Sequence, residues 1–335
     1  MPRTSDESRG AARRATRLAV LSTTVCTMLG TTGCGRSAIA PVALPLSPTF
    51  VAALDVDGRR ANFLVDTGSE LTLFDTAAAR RLGLPVERSN ERLLRLTDAT
   101  GTRRDHAMRA GVRAIAFGDH VFAMDGVPAV EFDTRLTFDG ILGMDVLSRA
   151  AWCFDAPASR LLLCDPDGAL RVLAERGLTV RARVPVQGTA TRWLAAVTLG
   201  PDHVAEMLID SGAERTSLPA KAIARLALGR GDALDARRRR ATAARAAAEL
   251  RAAGLEDVRV EIPAADGAQV GLHGAAGGSA AVYHLPQIEL GGRAFADLIV
   301  VEQTGDAPVL GRDVISGCAW LLHGPRREIW LLEAR

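Results

Sequence analysis

The chain has 335 residues, 48% of them hydrophobic and 24% charged, which is enough apolar material for two domains with real cores and too much for a disordered chain. Its 41 basic residues nearly balance 39 acidic ones, so no whole-molecule field exists to gather nucleic acid or an acidic substrate.

At the N-terminus, Arg13, Arg14 and Arg17 precede an apolar run from Leu18 to Leu29 and a stretch of small residues at 30–35, the three-part pattern of an export signal. The run is too short to span a bilayer as a stable helix. Thr31-Thr32-Gly33-Cys34 resembles the lipobox of bacterial lipoproteins, with Thr31 where that family usually has Leu. The expectation is a signal peptide over 1–33 and a lipidated Cys34. The chain would then be exported to the periplasm or another extracytoplasmic space and touch membrane only through that lipid. An ordinary cleaved signal peptide is the alternative. Residues 40–48 carry three prolines, Pro41, Pro45 and Pro48, and 34–47 reads as a linker.

A strand pattern over Phe50–Asp55, a turn at Asp57-Gly58 and an apolar run at Ala61–Val65 follow. They deliver Asp66-Thr67-Gly68 as a tight turn. Leu71–Phe74 leads away into an Ala-rich helix at Thr76–Leu82, closed by Gly83 and Pro85. The chain then repeats itself. Leu64-Val65-Asp66-Thr67-Gly68 corresponds to Leu208-Ile209-Asp210-Ser211-Gly212, with Glu70 on Glu214, Thr72 on Thr216, and a second helix at Pro219–Leu228. Further on, Ile115-Ala116-Phe117-Gly118 answers Ile288-Glu289-Leu290-Gly291. Gly140-Ile141-Leu142-Gly143-Met144-Asp145 answers Pro308-Val309-Leu310-Gly311-Arg312-Asp313, and Trp152 answers Trp320. Two lobes, 48–175 and 176–335, carry the same motifs in the same order.

The second lobe holds extra residues. Its stretch 231–254 is nearly all Ala, Arg, Leu, Asp and Glu and reads as an inserted helix, with Arg237–Arg240 on a solvated face between acidic neighbours rather than a nucleic-acid or lipid patch. Each lobe also has a hairpin candidate able to fold over a cleft. The first runs Leu96–Arg104 with its tip at Thr100-Gly101; the second runs Val270–Tyr283 with its tip within Gly274–Ser279. Cys153 and Cys164 flank the turn at 155–159, so either a cross-strand disulfide or small buried thiols suits them and Cys318. Histidines and cysteines show no metal-ligand spacing, so no metal and no cofactor are expected.

Taken together, the two Asp-Thr/Ser-Gly turns and the two motifs Ile141-Leu142-Gly143 and Val309-Leu310-Gly311 resemble the aspartic proteases of the pepsin and retropepsin superfamily, nearest to the bacterial retropepsin-like branch. The likeness covers about residues 48–335. One such triplet alone is common; two in apolar context, each with its apolar-Gly partner, are not. The resemblance implies a mainly β fold, a bilobal pepsin-like arrangement of two homologous β-barrel lobes with short helices. It further implies Asp66 and Asp210 as a catalytic pair. Thr67 and Ser211 would send hydroxyls across to the opposing loop, Gly68 and Gly212 would permit close approach, and Gly143 and Gly311 would serve as supports behind. Retropepsins are usually homodimers, but here both halves lie in one chain, so a monomer suffices. The first-lobe flap tyrosine of pepsin-like enzymes has no counterpart, since the sole tyrosine is Tyr283.

Those residue types fit one chemistry. Hydrolysing an amide without metal or covalent intermediate needs one group to take a proton from water and another to protonate the carbonyl. Two adjacent carboxylates do both, because mutual repulsion leaves the pair holding one proton. The expected function is therefore an endopeptidase acting on peptide or protein substrates. The alternative is a lipoprotein that keeps the fold and binds peptides or glycans without cleaving them, since fold does not guarantee activity.

Overall fold

The computed structural model describes residues 41–89, 94–97, 103–133, 136–231 and 281–335, together with positions 234, 235, 237, 238 and 241. The expected signal peptide, Cys34, and the tips Thr100-Gly101 and Gly274–Ser279 lie outside the described residues, as does most of the 231–254 insertion. Leu234, Asp235, Arg237, Arg238 and Ala241 within that insertion are helical.

The protein is mainly β and builds two large sheets. A nine-stranded sheet is drawn wholly from residues 51–142. At its centre Arg59–Val65 buries Ala61, Phe63 and Val65 while Arg60 and Asn62 stay exposed, the alternation of a strand with one face on a core. Val51–Val56 pairs antiparallel with it through the turn at Asp57-Gly58, and Gly140–Leu142 pairs parallel on its other side.

The second sheet has twelve strands. One part, Trp193–Gly200, His203–Ile209, Val309–Leu310, Ser217–Pro219, Arg293–Gln303 and Val282–Leu290, closes on itself where Thr198 pairs with Glu289. It repeats the nine-stranded plan: Val309–Leu310 runs parallel to His203–Ile209 as Gly140–Leu142 does to Arg59–Val65. The other part joins strands from both halves of the chain. In order these are Val42–Pro45, Arg160–Cys164, Ala151–Asp155, Ala319–His323, Glu328–Ala334 and Leu178–Gly188. At the junction Cys153 pairs with Leu321, its own counterpart in the repeat, as a twofold relation between the halves requires. Phe154 stacks on Trp320 beside it, ring centroids 4.1 Å apart and nearly parallel.

Both faces of this joining sheet are covered, and that is why Ala151–Asp155 and Ala319–His323 read as continuous apolar runs. Trp152, Phe154, Leu161, Leu163, Trp320 and Leu322 face the main core. Cys153, Cys164, Leu162, Leu321 and Trp330 face a second cluster roofed by the helix Ala169–Glu175.

One expectation needs correction, and one open alternative is decided. The stretch read as linker is structured: Val42–Pro45 is the edge strand on Arg160–Cys164, and Leu46 is buried. Prolines misled there, because an edge strand tolerates them on its unpaired side. Of the two alternatives for the cysteines, the small buried thiols hold. Cys153 lies opposite Leu162 and Cys164 opposite Ala151, and these two and Cys318 are buried free thiols, with Cys164 pushed up to about 11 by burial.

Candidate active site

Each Asp-containing turn emerges from the same local device. The strand Arg59–Val65 ends as Asp66 N–H donates to Leu142 O at 3.0 Å, and His203–Ile209 ends as Asp210 N–H donates to Leu310 O at 3.1 Å. Ile141-Leu142 and Val309-Leu310 thus hold the last strand residue before each aspartate. Gly143 and Gly311 follow, and each begins a short helix, Met144–Leu147 or Arg312–Ile315. A Cβ at Gly311 would stand 2.6 Å from Arg215 O and 2.7 Å from Thr216 N; one at Gly143 would strike the backbone of Leu71 and Thr72. Backbone cannot rotate away, so both positions require glycine.

A further pair supports the turns, and sequence reading aligned its members without giving them a role. Thr72 Oγ1 donates to Asp145 Oδ1 at 2.7 Å and accepts from Gly143 N–H, and Thr216 Oγ1 does the same with Asp313 (2.8 Å) and Gly311 N–H. The repeat of Thr72 on Thr216 and of Asp145 on Asp313 was the available signal.

The two turns meet face to face. Thr67 Oγ1 donates to Ile209 O at 2.9 Å and accepts from Ser211 N–H at 3.0 Å. In return Ser211 Oγ donates to Val65 O at 2.7 Å and accepts from Thr67 N–H at 2.9 Å. Both hydroxyl residues are buried, so all four bonds form away from water, where an unmade partner is costly. Serine in place of threonine keeps the hydroxyl that this lattice needs.

Gly68 and Gly212 let the carboxyls approach. A Cβ on Gly212 would lie 2.5 Å from Asp66 Cγ, and one on Gly68 would overlap the Asp210 carboxyl. The two aspartate side chains therefore lie against one another, and each bears on the other's ionisation. Asp66 Oδ1 also accepts from Gly68 N–H (2.8 Å) and Ser69 N–H (3.2 Å), and Asp210 Oδ1 from Ala213 N–H (2.8 Å). Both carboxyls are pushed above the usual carboxylate range, first by burial. At Asp66 the charge of Asp210 adds to this, against the pull of the Gly68 and Ser69 amides. At Asp210 the Ala213 amide, the neighbouring Asp66 side chain and the Arg312 charge oppose it. Two buried carboxylates this close repel one another, which favours the pair holding a single proton.

Arg312 is a second feature absent from the sequence expectations. Half-buried where the first half has the buried Met144, it donates to Thr49 O at 2.5 Å, and its charge is felt by Glu214, Asp210 and Asp66. The first hairpin candidate is formed, with Leu94–Thr97 antiparallel to Arg103–His106. Among the described residues no three His, Cys, Asp or Glu side chains are grouped to hold a metal.

A mainly β chain with two facing Asp-Thr/Ser-Gly turns has the fold of the pepsin-like aspartic proteinases. Residues 52–146 match the family model for aspartyl proteases. The crystal structure of aspartic proteinase from Irpex lacteus is similar with a TM-score of 0.51 at 11% identity, over 88% of this chain and 98% of that one. No curated protein matches in sequence. Residues 52–146 thus carry the aspartyl protease family's pattern, and the chain as a whole has the pepsin-like fold.

Proposed function

We propose that the protein is an aspartic-type endopeptidase, with Asp66 and Asp210 as the catalytic pair between two lobes. The observation that supports this best is the mutual approach of the two carboxyls across Gly68 and Gly212, held by the reciprocal Thr67–Ser211 bonds. A water between them loses a proton to the ionised carboxylate as its oxygen attacks the scissile carbonyl carbon. The protonated carboxyl gives its proton to the carbonyl oxygen. The tetrahedral diol then collapses: one hydroxyl returns its proton to the carboxylate that protonated the carbonyl as C=O reforms, the C–N bond breaks, and the proton taken from water passes to the leaving amine. The pair ends with one proton, as it began.

The working state is the singly protonated pair, so activity belongs to acid pH and falls as pH rises through the second ionisation, which burial and mutual repulsion place above the usual carboxylate range. The test is cleavage of a denatured protein from acid to neutral pH, with and without pepstatin. Asp66→Asn or Asp210→Asn should cost at least about 10²-fold, the scale of positioned acid–base catalysis. Wild type cleaving no better than either variant at every pH would refute the reading. The N-terminal pattern of 13–34 supports export and anchoring through Cys34; metabolic lipid labelling lost in Cys34→Ala would establish the anchor.

A further inference from the structure

The repeat makes each wall beside the aspartates comparable with its counterpart, and the two walls differ chemically. Leu64 lies on the opposite face of its strand from Phe63 and Val65, two residues before Asp66. It forms a separate apolar cluster with Leu73, Val130 and Ile141, to which half-buried Val51, Leu71, Phe132 and Phe138 are packed. The two phenylalanine rings meet edge to face with centroids 5.7 Å apart. Large aromatic side chains left half open beside a reaction centre are a surface for an apolar ligand.

In the second half Leu208 and Val309 repeat Leu64 and Ile141, and the rest of the wall does not follow. Ser217 replaces Leu73, and its hydroxyl donates to Gln303 Oε1 at 2.7 Å. Gln303 itself stands where the parallel pairing of the first half puts Val130, and its amide nitrogen donates to Ala307 O. Arg215 replaces Leu71 and pairs with Asp235 at 2.9 Å. The nine residues 131–139 that carry both phenylalanines are answered by four, Thr304-Gly305-Asp306-Ala307, with no aromatic among them.

We propose that the cleft is one-sided: the wall of Leu64, Ile141, Phe132 and Phe138 takes a large apolar side chain of a peptide, and the facing wall of Ser217 and Gln303 takes a small or polar one. This rests on the peptidase reading for its simplest assay. Mass-spectrometric profiling of cleavage sites in a denatured protein mixture should show Phe, Leu and Met enriched on one side of the scissile bond and not on the other. Phe132→Ala with Phe138→Ala should raise KM about tenfold or more for a Phe-containing peptide, in line with the loss of apolar pocket contacts, with kcat changed much less. Ser217→Leu with Gln303→Val should bring apolar enrichment to both sides. Equal apolar enrichment on both sides in wild type, or an unchanged profile in the alanine pair, would overturn the proposal. If wild type cleaves nothing, the peptidase reading fails separately. Fluorescence anisotropy with labelled Phe- and Ser-containing peptides then decides this one: the alanine pair must weaken binding of the Phe peptide alone, and equal affinities for both peptides in wild type would sink it.

Discussion

At the residue scale the Thr67–Ser211 lattice is the most exacting feature. Thr67→Val removes one donor and one acceptor at a buried site, leaving Ile209 O and Ser211 N–H without partners, each worth about 1–3 kcal/mol. The expected loss is about 2–4 kcal/mol by chemical denaturation, with Thr67→Ser close to wild type; equal losses in both variants would show that the methyl rather than the hydroxyl matters. The carboxyl pair carries its own pH signature. A carboxyl raised in the folded state adds stability at acid pH that is lost as pH climbs from about 3.9, the unfolded value, through the folded one. Asp66→Asn removes the repulsion, so its Tm should exceed that of wild type at pH 7, and the gap should close towards pH 4. A constant gap across that range would contradict the linkage. Asp66, Asp210 and their hydroxyl partners were legible because a repeated motif marks them. Arg312 was not, since it breaks the repeat at the position of Met144 and its meaning depends on what it approaches.

At the element scale, each Asp turn is held by a strand that arrives from the far end of its own half. Gly140–Leu142 and Val309–Leu310 are only three and two residues long, too short to stand without the longer strands beside them. The glycine after each lets this support touch the turn it supports. Gly311→Ala should cost about 1–3 kcal/mol through overpacking against backbone. Gly229→Ala, where a methyl meets nothing within 4 Å, should stay within about 0.5 kcal/mol. Equal costs would mean that the cap conformation, not the close approach, sets the price. Strand and helix positions were readable from alternation and from Gly and Pro stops. The edge strand Val42–Pro45 was not, because its prolines signal a break and only its partner Arg160–Cys164 reveals a sheet edge.

At the scale of the whole molecule, the sheet joining both halves keeps the two turns in register. Its six strands fall three on each side of the Phe154–Trp320 stack, and Val42–Pro45 closes one edge. Deleting the chain through Leu46 should strip the partner from Arg160–Cys164, whose Leu161–Leu163 run is buried. An uncovered apolar edge strand templates association. The expected outcome is a lower Tm and concentration-dependent light scattering; a monomeric protein of unchanged Tm would show that the edge strand is dispensable.

The sequence by itself determined the two-lobe repeat, the paired aspartates and the glycines that follow them, because each is demanded by local chemistry: a tight turn, a close approach, an apolar run of strand length. Tertiary structure alone decided that Cys153 meets Leu321 on the twofold rather than Cys164, and that Phe132 and Phe138 pack on Leu64 while Ser217 bonds Gln303. Those facts arise from pairings between residues far apart in the chain, and no local pattern encodes which distant partner a strand will meet.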